Sequence, residues 1–139
     1  MPVDESPLAH AAARVGDRWS LLLVEALLAG PRRFNDLQTA VSGIAPNILS
    51  QRLRQLEKEG VVTSSPYSRR PLRLSYELTG EGRELAGALQ LLAAWGARRA
   101  GSDETARHAA CGTPLEHRLY CPTCARVVQE PDESGIRFV

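Results

Sequence analysis

Residue types that bind soft metal ions cluster in the last third of the chain. All three cysteines, Cys111, Cys121 and Cys124, lie there, and His108 precedes Cys111 by the spacing that separates the other two. Two pairs of this kind, joined by a hairpin, would supply the four nitrogen and sulfur ligands of a tetrahedral structural zinc site. We therefore predict a zinc-ribbon-like segment over residues 106–139 that binds one Zn²⁺ ion through these four side chains.

Other interpretations of this cluster stay open. His117 is an alternative fourth ligand, although it lies in the middle of the hairpin. The cysteines could instead be free thiols, or Cys121 and Cys124 could form a dithiol–disulfide switch. A CxxC oxidoreductase is disfavoured, because no helix start or acidic–basic pair accompanies Cys121, and no other nucleophile–base set or Gly-rich phosphate loop occurs. No enzyme activity is predicted.

A second group of residues has the chemistry needed to read base edges. A helix is predicted over residues 46–59, with Leu49, Leu53 and Leu56 along one face. The opposite face carries four polar candidates for base contacts: Asn47, Ser50, Gln51 and Arg54. The major groove of DNA admits one helix, in which Arg pairs with guanine, and Gln or Asn pairs with adenine. This helix is predicted to be a recognition helix.

Basic residues flank the predicted recognition helix. Residues 30–80 hold eight basic and four acidic side chains and so carry +4, whereas the whole chain carries only +1. Local positive charge suits contacts with phosphates, which fix register without reading sequence. The candidates for these contacts, with an ordinary solvated surface as the alternative for each, are Arg32, Arg33, Arg52, Ser68, Arg69 and Arg70.

The elements that must position these residues form a winged helix-turn-helix over residues 7–100. The predicted fold class is α+β, mainly α with a small antiparallel β wing. Asp17 and Asn35 are predicted to cap the second and third helices, and Thr79 a long helix that reaches about Arg99. The predicted elements are helices over 8–15, 17–29, 35–41, 46–59 and 79–99, a turn at 42–43, and strands over 61–63 and 72–78.

Several short motifs in this region resemble the HxlR-type family of bacterial winged helix-turn-helix regulators, over about residues 7–97. The motifs are Arg18-Trp19-Ser20, Gly30-Pro31-Arg32-Arg33-Phe34-Asn35-Asp36-Leu37, Leu49-Ser50-Gln51-Arg52-Leu53-Arg54-Gln55-Leu56-Glu57 and Tyr76-Glu77-Leu78-Thr79. The resemblance implies homodimers that bind palindromic operators through the recognition helix and the wing, with terminal helices at the dimer interface. Many members have a cysteine, often a redox sensor, where this chain has Ser6, so thiol sensing is not expected at that position.

Together these features predict a sequence-specific regulator of transcription, acting as a repressor on double-stranded DNA. The alternatives are a redox or metal sensor gated through the Cys/His cluster, and a winged helix that serves protein contacts. An unidentified small-molecule effector is a possible partner, while Trp19, Phe34 and Trp95 are most simply aromatic residues of the core or of an interface. No apolar run approaches the length of a membrane span, and the acidic N-terminus does not resemble a signal peptide, so a cytoplasmic location is expected.

Overall fold

The computed structural model of the chain describes residues 6–102 and 106–128. Its contacts divide the chain into two compact units, residues 1–89 and 90–139, with the division inside the last helix. Residues 129–139 of the predicted zinc-ribbon-like segment lie outside the described residues.

The first unit opens with two capped helices, α1 (Pro7–Val15) and α2 (Arg18–Leu28). The Ser6 hydroxyl oxygen accepts the backbone N–H of Ala9 at the start of α1. The Asp17 carboxylate accepts two N–H groups at the start of α2, as its predicted role requires. These side chains satisfy backbone donors that have no partner inside the helix.

The helix-turn-helix consists of α3 (Phe34–Ala40) and α4 (Pro46–Lys58). The predicted cap of α3 at Asn35 is wrong, because the helix begins at Phe34. Arg33 occupies the cap position, and its backbone N–H donates to the Asp36 carboxylate at 3.1 Å. An acidic side chain in the first turn has replaced the expected cap side chain, in agreement with the charge preference of a helix N-terminus.

Three antiparallel strands form the wing: β1 (Arg32–Arg33), β2 (Val62–Arg69) and β3 (Leu72–Leu78), in the order β1-β3-β2. The predicted strand 61–63 is too short, because β2 continues to Arg69 through Pro66. Pro66 is tolerated because β2 is an edge strand, in which a missing N–H need not break a ladder. A register shift between Pro66 and Ser68 lets the chain resume pairing beyond the proline.

The exit of α4 is held by local hydrogen bonds and close packing. Gly60 has a φ of +74°, and the N–H groups of Gly60 and Val61 donate back to the last turn of α4, which is a Schellman ending. The Thr79 hydroxyl donates to the Gly60 carbonyl at 2.6 Å, and the Thr79 N–H donates to the Val61 carbonyl at 3.0 Å. Arg14 also binds here, since it donates to the Glu59 carboxylate and carbonyl.

The predicted long helix 79–99 is interrupted and is therefore wrong as a single element. Thr79 caps only the short α5 (Gly80–Arg83), and α6 (Ala86–Ala100) follows after a break. Gly82 in α5 is buried, and a methyl group added there would meet the Val61 carbonyl. This packing leaves no room for a side chain at position 82, and the chain turns at Glu84 and Leu85 before α6 begins.

The core of the first unit lies beneath the helix-turn-helix and the sheet. Its members are fully or almost fully buried aliphatic side chains from α1, α2, α3, α4, β2 and β3 and the turns between them: Val15, Leu23, Val24, Leu27, Leu37, Val41, Ile44, Leu49, Leu53, Leu56, Val61, Val62 and Leu78. Trp19 and Phe34 pack against this core, as the sequence predicts. Burial of this apolar surface is the main driving force that holds α4 in place.

The second unit contains most of α6 and two small hairpins. One hairpin is closed by a bridge between Arg107 and Pro114. The other pairs β4 (Leu119–Cys121) with β5 (Arg126–Val128) in antiparallel register. Among the described residues, no helix is both long enough and apolar enough to span a membrane.

Candidate nucleic-acid interface

Helix α4 has one buried face and one exposed face. Leu49, Leu53 and Leu56 are at most 2% exposed, which fixes the rotation of the helix about its own axis. Asn47, Gln51 and Arg54 project from the opposite side and are exposed. The division into a packing stripe and a polar stripe, predicted from helical spacing, is confirmed.

The polar stripe extends beyond the four residues predicted from the sequence. A shallow groove of about 450 Å³ lies along it, lined by Asn47, Gln51, Arg54, Gln55 and Lys58. Lys58 and Gln55 were not predicted as site residues, although they continue the same one-turn spacing. The Gln55 amide donates to the Glu59 carboxylate at 3.0 Å, whereas Lys58 is exposed at the end of the helix.

Ser50 and Arg54 are linked within the helix. The Arg54 Nε atom donates to the Ser50 carbonyl at 3.3 Å, so the side chain lies along the helix surface. Ser50 itself is only partly exposed, at the edge of the polar stripe. The other nitrogens of Arg54 remain available for a bidentate contact of the kind that recognises guanine.

Two of the predicted phosphate contacts, Arg32 and Arg52, have partners inside the protein. The Arg32 Nε atom donates to the Ala26 carbonyl of α2 at 2.9 Å. The Arg52 Nε atom lies 3.3 Å from the Asp17 carboxylate and so connects α4 to the start of α2. Arg32 therefore ties β1 to α2 and Arg52 ties α4 to α2, roles that their sequence positions do not reveal.

The electrostatics of this connection centre on Asp17. Burial by itself would raise the pKa of Asp17, but hydrogen bonds from Ser20, the charge of Arg52 and the N–H of Trp19 together lower the pKa below its usual value. The carboxylate therefore stays ionised at neutral pH, as a helix cap and as a partner for Arg52.

The remaining phosphate candidates lie on the wing or beside it. The Arg33 guanidinium stacks 4.1 Å from the centre of the Tyr67 ring and so connects β1 to β2. The Ser68 hydroxyl donates to the Pro71 carbonyl at 3.0 Å and closes the turn at the wing tip. Arg69 and Arg70 are exposed at this tip.

A cavity of about 500 Å³ lies between the start of α3 and the wing. Its walls include Phe34, Tyr76 and the stacked pair of Arg33 and Tyr67. Burial, followed by the charge of Glu57, raises the pKa of Tyr76. The cavity lining combines aromatic rings with charged side chains of both signs, Arg33 and Arg73 beside Asp36.

The predicted metal ligands form two separate pairs. The Nδ1 atom of His108 lies 3.3 Å from the Cys111 sulfur, and the Cys124 N–H donates to the Cys121 sulfur at 3.5 Å. In the part of the chain that the structure describes, no three His, Cys, Asp or Glu side chains are arranged to hold a metal ion. The backbone hydrogen bonds around each pair are local to one hairpin, and the four-ligand site stays a prediction.

Both sulfurs lie among hydrogen-bond partners. Contacts with Thr113 and then His108 lower the pKa of Cys111 below its usual value. Contacts with Cys124 lower the pKa of Cys121 in the same way. The alternative ligand His117 lies between the two hairpins and is exposed.

Comparison with known proteins gives one consistent result. An HTH-type transcriptional regulator of Mycobacterium tuberculosis, Rv3095, is 37% identical over 123 residues, which cover 86% of this chain and 77% of the relative. The solved structure of PA1374 from Pseudomonas aeruginosa is 33% identical, covers 88% of this chain and 86% of its own, and has a TM-score of 0.66. The redox regulator HypR, in its reduced form, is 28% identical, covers 68% of this chain and 94% of its own, and has a TM-score of 0.64.

The HxlR-like helix-turn-helix family matches residues 14–104, a range that holds α2, the helix-turn-helix and the wing but none of the three cysteines. The matched proteins are regulators of transcription and not enzymes, which confirms the prediction that this chain has no enzymatic role. DNA binding is expected of an HTH regulator, and the polar face of α4 as its DNA-binding surface stays a prediction. The chain belongs to the HxlR-like helix-turn-helix family of transcriptional regulators.

Proposed function

We propose that the chain is a homodimeric repressor that binds a palindromic operator through α4 and the wing. The observation that carries this proposal is the exposed polar stripe of α4, held outward by three buried leucines on the opposite face. A helix presented in this way fits the major groove, and a bound dimer that covers a promoter would block transcription. Such a protein acts on the chromosome, so the expected cytoplasmic location is part of the proposal.

Base contacts are assigned to the exposed stripe. Asn47 and Gln51 each carry an amide that can bind adenine with two hydrogen bonds, and Arg54 can bind guanine. Ser50 lies at the edge of the stripe and fits a single contact. Lys58 joins the assignment as a phosphate contact, because an exposed lysine at the end of the helix has no planar group for reading a base.

Phosphate contacts divide by exposure. Arg69 and Arg70 at the wing tip are exposed and fit the backbone or the minor groove. Arg33 has its guanidinium stacked on Tyr67, so a phosphate would meet a pre-oriented cation. We assign smaller contributions to Arg32, Arg52 and Ser68, since each already has a partner inside the protein.

Dimerisation is assigned to the terminal helices, chiefly α6. None of its residues is buried, although Leu91, Leu92 and Trp95 are each about half exposed. Apolar side chains in this number on one helix are typical of a surface that a second copy covers. Two copies related by a two-fold axis would place two α4 helices on half-sites about one helical turn apart, or a small multiple of that.

Selection of genomic DNA tests this proposal. The purified, reduced full chain is incubated with sheared genomic DNA at near-physiological salt, and the retained fragments are sequenced. Inverted repeats in intergenic DNA are expected. Binding to the selected repeat is then compared with binding to scrambled DNA for Gln51→Ala and Arg54→Ala, each expected to lose about 1–3 kcal/mol on the repeat and to relax preference at one position.

Two matched variants make the result specific. Arg69→Ala should weaken binding to all sequences alike and reduce the salt slope by about one. Arg83→Ala, an exposed arginine on α5 outside the helix-turn-helix and the wing, should change neither. Equal losses on repeat and scrambled DNA for both Gln51→Ala and Arg54→Ala would refute their role as readers, and absence of any enriched sequence would refute the proposal itself.

A second candidate function is a thiol-gated regulator, favoured by the likeness to the redox regulator HypR and by the proximity of Cys121 and Cys124. A diazene oxidant such as diamide would take two electrons and two protons from the two thiols and leave a disulfide between them. Operator binding would then change on oxidation and return with dithiothreitol. If the variant with Ser at both positions responds to the oxidant as the natural chain does, this candidate is wrong.

The proposal includes a small-molecule effector. The cavity between α3 and the wing would take a small aromatic anion, held by Arg33 against Tyr67 and Phe34. Because Arg33 is also a phosphate candidate, such a ligand would compete with DNA for the same guanidinium. This arrangement predicts an inducer that weakens operator binding, detectable by screening aromatic carboxylates against the bound operator.

A further inference from the structure

The C-terminal hairpins lack the core that would normally hold such a segment together. Between residues 106 and 128, no side chain is buried, and only Cys121 and Val128 are even partly covered. Leu119 and Tyr120 are about 60% exposed although both lie in β4. A segment this short with no buried apolar surface needs a cross-link or a metal ion to keep one structure.

Each hairpin nevertheless has a tight and similar turn that carries two ligand-type side chains. In the first, the N–H groups of Cys111 and Gly112 both donate to the His108 carbonyl, at 3.3 and 2.7 Å. In the second, the Cys124 N–H points at the Cys121 sulfur. The two turns thus place a pair of donor atoms at one end of each hairpin.

The residue after each second ligand has a left-handed backbone. Gly112 has a φ of +71° and Ala125 a φ of +52°, and Ala125 is the one non-glycine residue with positive φ in the described part of the chain. Left-handed backbone is unfavourable for alanine, so something must compensate for it at this position. The same conformation at the same place in both turns indicates a shared requirement. In each turn the backbone folds around a ligand held by the pair of side chains, His108 and Cys111 in the first and Cys121 and Cys124 in the second.

The distance within the first pair also fits a metal ion. In a tetrahedral zinc site with Zn–N near 2.0 Å and Zn–S near 2.3 Å, the nitrogen and sulfur ligands lie about 3.5 Å apart. The Nδ1 atom of His108 and the Cys111 sulfur are 3.3 Å apart. The Thr113 hydroxyl lies 3.2 Å from the same sulfur and would donate to a bound thiolate, as outer partners of metal ligands do.

We propose that the chain binds one Zn²⁺ ion through His108, Cys111, Cys121 and Cys124, and that the ion draws the two preformed pairs together into a single closed site. Each pair alone supplies two ligands, which is too few for a structural zinc site. Only Glu116, His117 and Arg118 separate the Leu115 contact of the first hairpin from β4, so the link is short. With four protein ligands the site has no open position, and its role is to stabilise the segment. This proposal is independent of DNA binding.

The test is the metal content of the full chain, purified under reducing conditions and measured by mass spectrometry of the metal. One zinc ion per chain is expected. After removal of the metal, cobalt added in its place should show the thiolate charge-transfer and tetrahedral d–d bands of a cysteine-rich site. Reduced chain that contains no zinc and does not take up cobalt would refute the proposal, as would one ion per two chains, which would indicate a site shared between copies.

Matched histidine variants decide the ligand set. His108→Ala should reduce the bound zinc from one ion to none after gel filtration, whereas His117→Ala should retain it. Cys121→Ser should also lose the ion, while the melting curve of the winged helix-turn-helix stays within error of that of the natural chain. If His117→Ala loses the metal and His108→Ala keeps it, the assignment of the first pair is wrong.

Discussion

Replacement of Gly82 by alanine tests how the exit of the recognition helix is held. A methyl group there would lie under 3.0 Å from the Val61 carbonyl oxygen and 3.2 Å from the Leu78 side chain. The same carbonyl accepts the N–H of Thr79 at 3.0 Å, and the Thr79 hydroxyl oxygen, which donates to Gly60, lies 3.2 Å away. Either Val61 or α5 must therefore move, and the hydrogen bonds that join α5 to the end of α4 must lengthen.

The expected loss follows from two contributions. Overpacking of a tight contact costs about 1–3 kcal/mol. Weakening of one of the hydrogen bonds to Val61 adds about 0.5–1.5 kcal/mol. Together Gly82→Ala should lower the free energy of unfolding by about 2–4 kcal/mol, which shifts a urea midpoint downward by about 1–2 M.

Gly80 provides the matched control in the same helix. A methyl group at Gly80 meets nothing within 4 Å, so Gly80→Ala should be neutral or stabilise by up to about 1 kcal/mol. Urea unfolding of both variants and of the natural chain is followed by the circular dichroism signal of the helices at about 222 nm. Coincident midpoints for Gly82→Ala and Gly80→Ala would refute the claim that close packing of Gly82 on Val61 holds this junction.

Three further predictions use the same unfolding measurements or a direct measurement of mass. Leu53→Ala, at a side chain only 2% exposed, should lower the free energy of unfolding by about 2–5 kcal/mol. Gln51→Ala, at an exposed side chain, should stay within about 0.5 kcal/mol of the natural chain. Similar losses for the two variants would contradict the assigned faces of α4. Asp17→Ala should lower the free energy of unfolding by about 0.5–2 kcal/mol at pH 7. Because the pKa of Asp17 is lowered in the folded chain, the stabilising effect of its carboxylate is present above about pH 4 and is lost as pH falls further. The difference should therefore be smaller at pH 3, and an unchanged difference would contradict this linkage. Trp95→Glu should yield monomers in sedimentation, whereas Gln90→Glu, at another exposed position of α6, should leave dimers. Dimers in both variants would show that Trp95 is not part of the interface.

The recognition helix was predictable because its signals are local. Pro46 at the start, leucines at helical spacing and Gly60 at the end each act within a few residues, and together they identify α4 almost to the residue. The break between α5 and α6 was not predictable in this way. The apolar pattern of residues 79–99 contains no sign of it, nor of the close packing of Gly82 on Val61, which is distant in sequence.

The limits of β2 and α3 show the same dependence on partners. Pro66 argues against a strand in isolation, but β3 supplies pairing on one side only, and the missing N–H therefore costs little. At α3, the Asp36 carboxylate satisfies the Arg33 N–H, so the helix begins earlier than a search for a capping Asn or Ser predicts. In both cases a neighbour decides the boundary.

The arginines of the basic region differ in a way that charge counting cannot detect. Arg52 and Arg32 are anchored on α2 through Asp17 and the Ala26 carbonyl, whereas the two wing-tip arginines are exposed. A phosphate that binds Arg52 must compete with Asp17, whose carboxylate is already ionised and bound to the start of α2. DNA contact at Arg52 would therefore loosen the connection between α4 and α2, while contact at Arg69 would leave it intact. The salt dependence of operator binding should consequently fall more for Arg69→Ala than for Arg52→Ala, and the reverse order would show that Arg52 releases Asp17 when DNA binds.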